Sequence, residues 1–244
     1  MKSLIERENE IFDILENFSK SGLKYVLVGG YAVSAYMHRF SVDADVCIEN
    51  RDLSSFQNTL KAKHFAVTKR KIPGDIYKGH FDSYIKRAKL PVTVDLMIGS
   101  VASRQTNASI SFERLYVNSV MTKITGIEKT VSARIPQKEL LIAMKIHSAR
   151  LTDARDIVAL CHDVDFKIIE KIVTIGEIKE VHNNLNRLLS IFMSDNFKDA
   201  FKGVFSIEKL PRGNIENAIK IIEKLKSNKT DSSGNAQNNL LHRN

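Results

Sequence analysis

The segment VGGYAVSAYMHRFSVDADVCIE, residues 28–49, decides the fold class that the sequence predicts. It begins at the end of an apolar run, passes through Gly29-Gly30 and continues with good helix formers. The glycine pair predicts a tight strand-to-helix turn, because glycine adopts backbone conformations that other residues avoid. A second apolar run at 44–49 predicts another strand, so this segment has α/β character.

Two features of this segment point to chemistry. A glycine pair between a strand and a helix lets backbone amides approach a phosphate, which makes Gly29 and Gly30 candidate nucleotide-binding residues. Asp43 and Asp45 stand two apart at the start of a strand, where their side chains project to one face. Two such carboxylates can share Mg²⁺ or Mn²⁺, which offsets their repulsion. An isolated Asp-x-Asp is more often a solvated turn or a helix cap.

A third acid occurs in the apolar run VTVDLMI, residues 92–98. Asp95 lies between Val94 and Leu96, and a buried carboxylate without compensation is costly in a central strand. The order strand, Gly-Gly, helix, Asp-x-Asp, then apolar-Asp-apolar resembles the nucleotidyltransferase superfamily of the polymerase-beta type. The resemblance implies that Asp43, Asp45 and Asp95 are catalytic and hold the metal.

Within that superfamily, the chain resembles the AbiEii-type group of toxins and minimal nucleotidyltransferases. The likeness rests on GGYAVSAYMHRFSVDAD and on KELLIAMKIHSARLTDARDIVAL, residues 138–160. Such proteins often carry a lysine on one helix, then an arginine and acids on the next. The matching positions here are Lys145, Arg150, Asp153 and Asp156. The resemblance implies nucleotide binding by Lys145 and Asp156, although an ordinary ion-paired helix face is the alternative.

Arg39 and Ser41 precede the first two acids on the connection that leaves the glycine turn. Their charge and hydroxyl group could reach a triphosphate, so we predict that both bind the nucleotide. The alternatives are a solvated surface arginine and a serine that only begins a strand.

A basic segment covers residues 61–89, with nine lysines and arginines against two aspartates. This excess of seven positive charges is most of the net +9 of the chain. Aromatic residues are interspersed among the cations. This composition suits RNA binding, because cations neutralise phosphates and aromatic rings stack on bases. Lys69, Arg70 and Lys71 are the densest group, which we expect to bind RNA outside the metal site. A solvated sheet edge protected by lysines is the alternative.

Length and composition limit the possible classes of protein. The chain has 244 residues with 43% hydrophobic and 27% charged residues, which indicates a folded protein with an anionic partner, given its basic charge. The longest largely apolar stretch, 25–37, is shorter than the roughly 18 residues that cross a bilayer. With no export signal at the start, we expect a cytoplasmic protein without a membrane partner. Cys47 and Cys161 are expected to be reduced, buried thiols.

The pattern of apolar residues predicts three regions. Residues 1–134 form the catalytic domain, an α/β (α+β) fold with a mixed sheet and flanking helices. We expect its strands at 25–29, 44–49, 65–70, 82–87 and 92–98, a turn at Pro73-Gly74, and a helix at 53–63 capped by Asp52. Residues 135–226 follow helical periods and form a helical C-terminal domain. Residues 227–244 are polar and aperiodic, which predicts a flexible tail.

The sequence therefore predicts a metal-dependent nucleotidyltransferase that moves a nucleoside monophosphate from a nucleoside triphosphate to an acceptor hydroxyl. The basic segment and the resemblance favour RNA, in particular a tRNA 3′ end, and a toxin that is paired with an antitoxin protein. One alternative is an antibiotic nucleotidyltransferase of the aminoglycoside or lincosamide kind, although a basic segment is unfavourable for a cationic drug. A non-catalytic nucleotide- or RNA-binding module is the other.

Overall fold

The computed structural model of the chain describes residues 1–71, 80–211 and 213–238, without the side chains of Lys71 and residues 229–238. The N-terminal part contains the elements that form the central sheet and its two covering helices. In chain order they are α1 (Lys2–Lys20), β1 (Tyr25–Val28), α2 (Gly29–Ser34), β2 (Asp43–Ile48), α3 (Leu53–Ala62), β3 (Ala66–Lys71), β4 (His80–Lys86) and β5 (Val92–Ile98).

Two small hairpins and a run of helices follow the central sheet. The short elements are β6 (Ser100–Ala102), β7 (Ser109–Ser111), α4 (Phe112–Val117), β8 (Ser119–Thr125) and β9 (Thr130–Pro136). The helices are α5 (Lys138–Ser148), α6 (Leu151–Leu160), α7 (Phe166–Val173), α8 (Ile178–Phe192), α9 (Phe197–Phe205) and α10 (Asn214–Asn238).

The central sheet has five strands in the order β1-β2-β5-β4-β3. Strands β2 and β5 run parallel, whereas β1 pairs with β2, and β4 pairs with β5 and β3, in antiparallel fashion. The parallel register places Asp45 directly opposite Asp95. Two acids that are 50 residues apart in sequence therefore face each other on neighbouring strands.

The two faces of this sheet have different partners. Helices α1 and α3 cover one face, where Phe18 packs edge-on against Tyr25 and Phe56 with ring centroids 5.8 and 4.8 Å apart. Lys86 of β4 also bonds to Glu10 of α1 on this side, at 2.6 Å. The alternation of side chains along a strand sends the three acids to the opposite face, which we call the cleft face. Helices α5 and α6 contribute residues to the cavity above it.

The predicted fold class is confirmed, since the structure is a mixed α/β fold with a five-stranded sheet and many helices. The five predicted strands and the helix at 53–63 occur within two residues of their expected bounds. Both cysteines are buried and free, as expected. One hydrophobic cluster extends from α1 to α10, and the proposed boundary near residue 135 stays a prediction.

Three local expectations differ from the structure, and one is not covered by it. Asp52 makes no side-chain capping bond, because a 3₁₀ turn at 50–52 leads directly into α3. Strands β6–β9 were not anticipated: β6 and β7 have three residues each and β8 is mostly exposed, although β9 alternates buried with more exposed residues over 130–135. Helix α10 continues to Asn238, so residues 227–238 are helical where no helical period was expected, and the predicted flexibility of the tail stays a prediction. The predicted turn at Pro73-Gly74 lies outside the described residues.

No helix in the described part of the chain is both long enough and apolar enough to span a membrane.

Candidate functional site

Three aspartates meet on the cleft face of the central sheet. Asp43 and Asp45 project from β2, and Asp95 projects from the adjacent parallel strand β5. One carboxylate oxygen from each lies within 4.8 Å of the other two. We call this group the carboxylate triad. The structure thus brings together the three residues that the sequence predicted as catalytic and metal-binding.

The glycine pair makes room for residues of this site. Gly29 has φ +65°, and a Cβ added there would lie 1.9 Å from Oδ2 of Asp45. A Cβ on Gly30 would lie 2.3 Å from Oγ of Ser41. Contacts this short exclude any side chain at either position unless its neighbour moves. The close approach of Asp45 and Ser41 explains the pair, and phosphate binding by its amides stays a prediction.

Two serine hydroxyls bond to the triad. Ser83 of β4 donates to Oδ1 of Asp95 at 2.6 Å, and Ser41 donates to Oδ1 of Asp43 at 3.4 Å. Ser41 was predicted to contact a triphosphate directly, and its observed partner is a triad carboxylate. The sequence analysis missed Ser83. Ser83 lies in a strand whose side chains alternate between the two faces of the sheet, and it pairs with Asp95 across β4 and β5. This alternation was the signal that could have identified it.

The triad concentrates negative charge away from solvent. Burial raises the pKa of Asp45 to about 7, with repulsion from Asp43 and Asp95 adding to the effect and Lys145 and Arg150 opposing it. Burial likewise raises the pKa of Asp95, although the Ser83 bond lowers it. Among the described residues, none forms an ion pair with the triad within 4.0 Å. Within the described part of the chain, the charge of these acids is therefore not neutralised by a direct ion pair.

The donor set fits a divalent cation of the Mg²⁺ type. Mg²⁺ takes oxygen ligands at about 2.1 Å, so two oxygens on one ion lie at most about 4.2 Å apart. The 4.8 Å limit of the triad is close to this span. A search of the described residues for three or more histidine, cysteine or acidic side chains with such closely spaced ligand atoms finds the triad. The triad could therefore hold Mg²⁺ or Mn²⁺ after small side-chain movements.

A second cluster of charges lies beside the triad, and its members are paired. Asp156 accepts a hydrogen bond from Nη2 of Arg39 at 3.0 Å and forms an ion pair with Lys145 at 2.7 Å. Asp153 accepts from Lys145 at 3.0 Å and from Arg150 at 2.8 Å. We call these five residues the ion-pair network. Despite burial, which raises it, the pKa of Asp153 falls to about 2 because Lys145 and Arg150 favour its charged form.

A cavity of about 390 Å³ is lined by Asp45 of the triad, and only some of the predicted nucleotide-binding residues line it. Gly29, Asp45 and Lys145 line it. Arg39 and Asp156 instead line a separate cavity of about 310 Å³. The larger cavity also has an apolar part, formed by Phe81, Met97, Val101, Ala108, Ile110, Leu141 and Met144.

The predicted RNA-binding cluster is divided between the two faces of the sheet. Lys69 lines the larger cavity, whereas Nε of Arg70 lies 3.7 Å from buried Asp82 on the opposite face. Lys69 therefore faces the cavity that Asp45 also lines, and the role of the cluster in RNA binding stays a prediction. Side chains alternate along a strand, and a bulge between Val67 and Lys69 sets which residues face the cleft. The side chain of Lys71 lies outside the described part.

Arg150 and Asp153 also belong to the site. The family resemblance matched both positions, but the sequence analysis did not assign either residue a role. Both line the larger cavity, and Arg150 adds positive charge near Asp45. His147 lines the cavity too, with Nδ1 2.9 Å from the hydroxyl oxygen of Thr106.

No protein-family model matches the sequence, and a search of curated proteins found no match either. Solved structures do match. The protein JHP933 from Helicobacter pylori aligns over 99% of both chains, with a TM-score of 0.50 and 17% identity. A Helicobacter pylori protein described as a "putative nucleotidyltransferase" aligns over 95% of this chain and 98% of its own, with a TM-score of 0.49 and 16% identity.

A third match is the lincosamide antibiotic adenylyltransferase LnuA in a lincomycin-bound structure. It covers 64% of this chain and 98% of LnuA, with a TM-score of 0.45 and 18% identity. At such identities a structural match concerns the fold and not the activity. The match to JHP933 extends over nearly the whole of both chains, so the two proteins share their overall fold.

Proposed function

We propose that this chain is a metal-dependent nucleotidyltransferase of the polymerase-beta type. It would move a nucleoside monophosphate from a nucleoside triphosphate to an acceptor hydroxyl. The observation that carries the proposal is the carboxylate triad on two neighbouring parallel strands, with its oxygens within 4.8 Å of one another and with Asp45 lining a cavity of about 390 Å³. Three convergent acids that have no ion pair to any described residue have the chemistry of a site for metal-assisted phosphoryl transfer.

Asp43, Asp45 and Asp95 would hold the divalent ion, Mg²⁺ or Mn²⁺. When bound, such an ion polarises a phosphoryl oxygen, favours ionisation of an acceptor hydroxyl and neutralises the leaving pyrophosphate. Ser83 would keep Asp95 oriented, since a short hydrogen bond restricts the rotation of its carboxylate. Ser41 would do the same for Asp43.

The nucleotide would occupy the cavity from the side of Gly29 and Arg150. The guanidinium of Arg150 is suited to phosphate, because its planar fork of donors matches two phosphate oxygens. Lys145 lines the cavity but already contacts two carboxylates, so its charge would act on the phosphates as part of the network. Gly30, Arg39 and Asp156 would support nucleotide binding indirectly, by fixing the connection that carries Ser41 and Asp43.

The acceptor that we favour is RNA, in particular a tRNA 3′ end, as in toxins that act with an antitoxin partner. The net charge of +9 supports an anionic acceptor. Lys69 supports it more directly, because this lysine lies in the cavity with Asp45 and not on a remote surface.

A small-molecule acceptor is the second candidate. The apolar part of the cavity, with Met97, Leu141 and Met144, could bury a compact, largely apolar compound of the lincosamide kind. A module that binds nucleotides or RNA without catalysis is the remaining alternative. It would bind nucleotide in the presence of Mg²⁺ and label no acceptor.

One labelling experiment tests the proposal. The purified chain is incubated with Mg²⁺ and each α-³²P-labelled nucleoside triphosphate, and with total RNA, protein, a lincosamide or an aminoglycoside in separate reactions. We expect label in RNA with the wild type and none with Asp45→Asn. Label in an antibiotic would establish the second candidate. If no acceptor is labelled although Mg²⁺-dependent nucleotide binding is measured, the chain is a binding module.

A further inference from the structure

Lys69 stands in the same cross-strand row as the two central acids of the triad. Across the sheet, Asp45 pairs with Asp95, Asp95 with Ser83, and Ser83 with Lys69. Neighbouring strands lie about 4.8 Å apart, so the backbone of Lys69 is about 10 Å from that of Asp95. The row ends at Lys69, because β3 is the edge strand. This lysine therefore marks the Asp95 end of the site.

Arg150 occupies the other end of the site. Its hydrogen bond to Asp153 is the main reason that its pKa is raised, and the charges of Asp45 and Asp43 also contribute. Geometry separates the two cations. Through Asp153, Lys145 and Asp156, Arg150 joins the network that holds Arg39 beside Gly30 and Ser41, just before Asp43. Lys69 instead lies two strands beyond Asp95 in the cross-strand row.

These two cations also differ in their partners. Arg150 is held by Asp153 at 2.8 Å. Among the described residues, none is within hydrogen-bonding or ion-pairing distance of the ammonium group of Lys69, which is exposed within the cavity lining. An exposed ammonium group beside a catalytic centre can bind a substrate anion without first breaking an ion pair.

We infer that Lys69 forms a second phosphate-binding position, which holds a phosphodiester next to the attacking hydroxyl of a single-stranded polynucleotide acceptor. This inference rests on the proposed function and adds the class of the acceptor. In phosphoryl transfer the attacking and leaving oxygens lie roughly in line, on opposite sides of the reacting phosphorus. With the leaving pyrophosphate on the Arg150 side, the acceptor lies on the Lys69 side.

The cavity wall next to Lys69 suits the base of such an acceptor. Phe81 and Met97 pair across β4 and β5, two residues beyond Ser83 and Asp95, and both line the cavity. Two residues along a strand span about 6.7 Å, so the ring of Phe81 and the thioether of Met97 lie about this distance from the row of Ser83 and Asp95. Both surfaces are therefore beside the proposed phosphate position. Aromatic faces near a cation bind successive bases of single strands. An acceptor without phosphate would leave Lys69 unused.

The test compares Lys69→Gln with Lys61→Gln in the full-length chain. Lys61 is an exposed lysine near the end of α3, on the opposite side of the sheet, so both variants lose one charge. Binding of a fluorescent single-stranded RNA oligonucleotide with a free 3′ hydroxyl is measured by anisotropy across a salt titration. Binding of a non-hydrolysable α,β-methylene nucleoside triphosphate is measured with Mg²⁺ by calorimetry, with Lys69→Arg as the variant that keeps the charge.

We expect Lys69→Gln to weaken RNA binding and to reduce its salt slope by about 0.7, the value for one phosphate contact on a single strand. Nucleotide affinity should change less than twofold, and Lys69→Arg should bind RNA like the wild type. An RNA salt slope equal to that of Lys61→Gln would overturn the inference, as would a selective loss of nucleotide binding. Failure of the proposed function looks different, because the wild type itself would then transfer no label from an α-³²P-labelled nucleoside triphosphate to RNA, whatever the effect of Lys69→Gln on RNA binding.

Discussion

The carboxylate triad and the ion-pair network are neighbouring groups of charged residues that differ in whether their charges have partners of opposite sign. In the network, three cations and two acids make contacts of 2.7–3.0 Å with one another. In the triad, three acids lie within 4.8 Å of one another without an ion pair to any described residue. The described residues supply both signs of charge to the first group and only the negative sign to the second. The charges of the network are therefore largely balanced within the protein, and the triad is suited to a cation taken from solution.

Changing an acid of the triad should have the largest effect on activity. With Asp45→Asn, one metal ligand is lost, and we expect transfer to fall by about 10³-fold or more, since such ions contribute several kcal/mol to transition-state stabilisation. The fold should persist. Labelled-nucleotide transfer and thermal melting measure the two effects, with the exposed Asp199→Asn as control. Near wild-type transfer by Asp45→Asn would contradict the metal assignment.

Removing an acid of the network should mainly reduce stability. Asp156→Ala leaves Arg39 and Lys145 without a shared carboxylate in a buried position, where breaking an ion pair costs about 3–5 kcal/mol. Urea denaturation of the metal-free protein measures the free energy of unfolding, with Asp199→Ala as control. A loss below about 1 kcal/mol would show that this network is no more stabilising than a surface ion pair.

Gly29→Ala should show whether the position of the triad carboxylates matters, because this change moves Asp45 without removing its charge. The Cβ of Gly29→Ala would stand 1.9 Å from Asp45 Oδ2, so the carboxylate must move. Gly22→Ala is the matched control, because Gly22 has a similar φ of +68° and no neighbour within 4 Å. Both should lose about 1 kcal/mol of stability through backbone strain. Mg²⁺ and nucleotide should raise the melting temperature of Gly22→Ala but not that of Gly29→Ala. An equal rise in both variants would exclude a role of Gly29 in shaping the site.

The remaining expected effect is the dependence of metal-free stability on pH. The pKa of Asp45 is about 7 in the folded chain, against an ordinary value of 3.8. An acid with a raised pKa binds its proton more tightly when folded, so its contribution to stability is complete below pH 4 and is lost as the pH rises to 7. The difference between wild type and Asp45→Asn in unfolding free energy should therefore change across this window. A constant difference in melts from pH 4 to 8 would contradict the raised pKa.

Much of the fold could be predicted from local sequence patterns. Apolar runs and alternation gave the five strands of the central sheet, and helical periods gave the C-terminal helices. Residues 227–238 lack an apolar period and are nevertheless helical, because low apolar content does not prevent a helix from continuing. Strands β6 and β7 were missed because they have three residues each, and β8 because it is mostly exposed. The alternating buried residues Val131, Ala133 and Ile135 of β9 were a signal that could have been recognised.

The candidate site, like the fold, could be predicted from the sequence only in part. Asp43 and Asp45 are neighbours in sequence, so the face that they share follows from the period of one strand. Asp95 was recognised as an unusual acid in an apolar strand, and only the resemblance suggested that it would join them. The parallel register of β2 and β5 established its position opposite Asp45.

The sequence by itself determined the strands of the central sheet and most of the helices, and therefore that Asp43 and Asp45 share a face. Only the tertiary structure decided the partners of the charged residues: Arg39 contacts Asp156 across 117 positions, and Ser83 bonds to Asp95 from a neighbouring strand. It also decided that Lys69, and not Arg70, faces the cleft, because a bulge shifts the alternation of β3. The physical reason is that periodicity is set by the local backbone, whereas pairing between distant charges depends on strand register and helix packing across the whole chain.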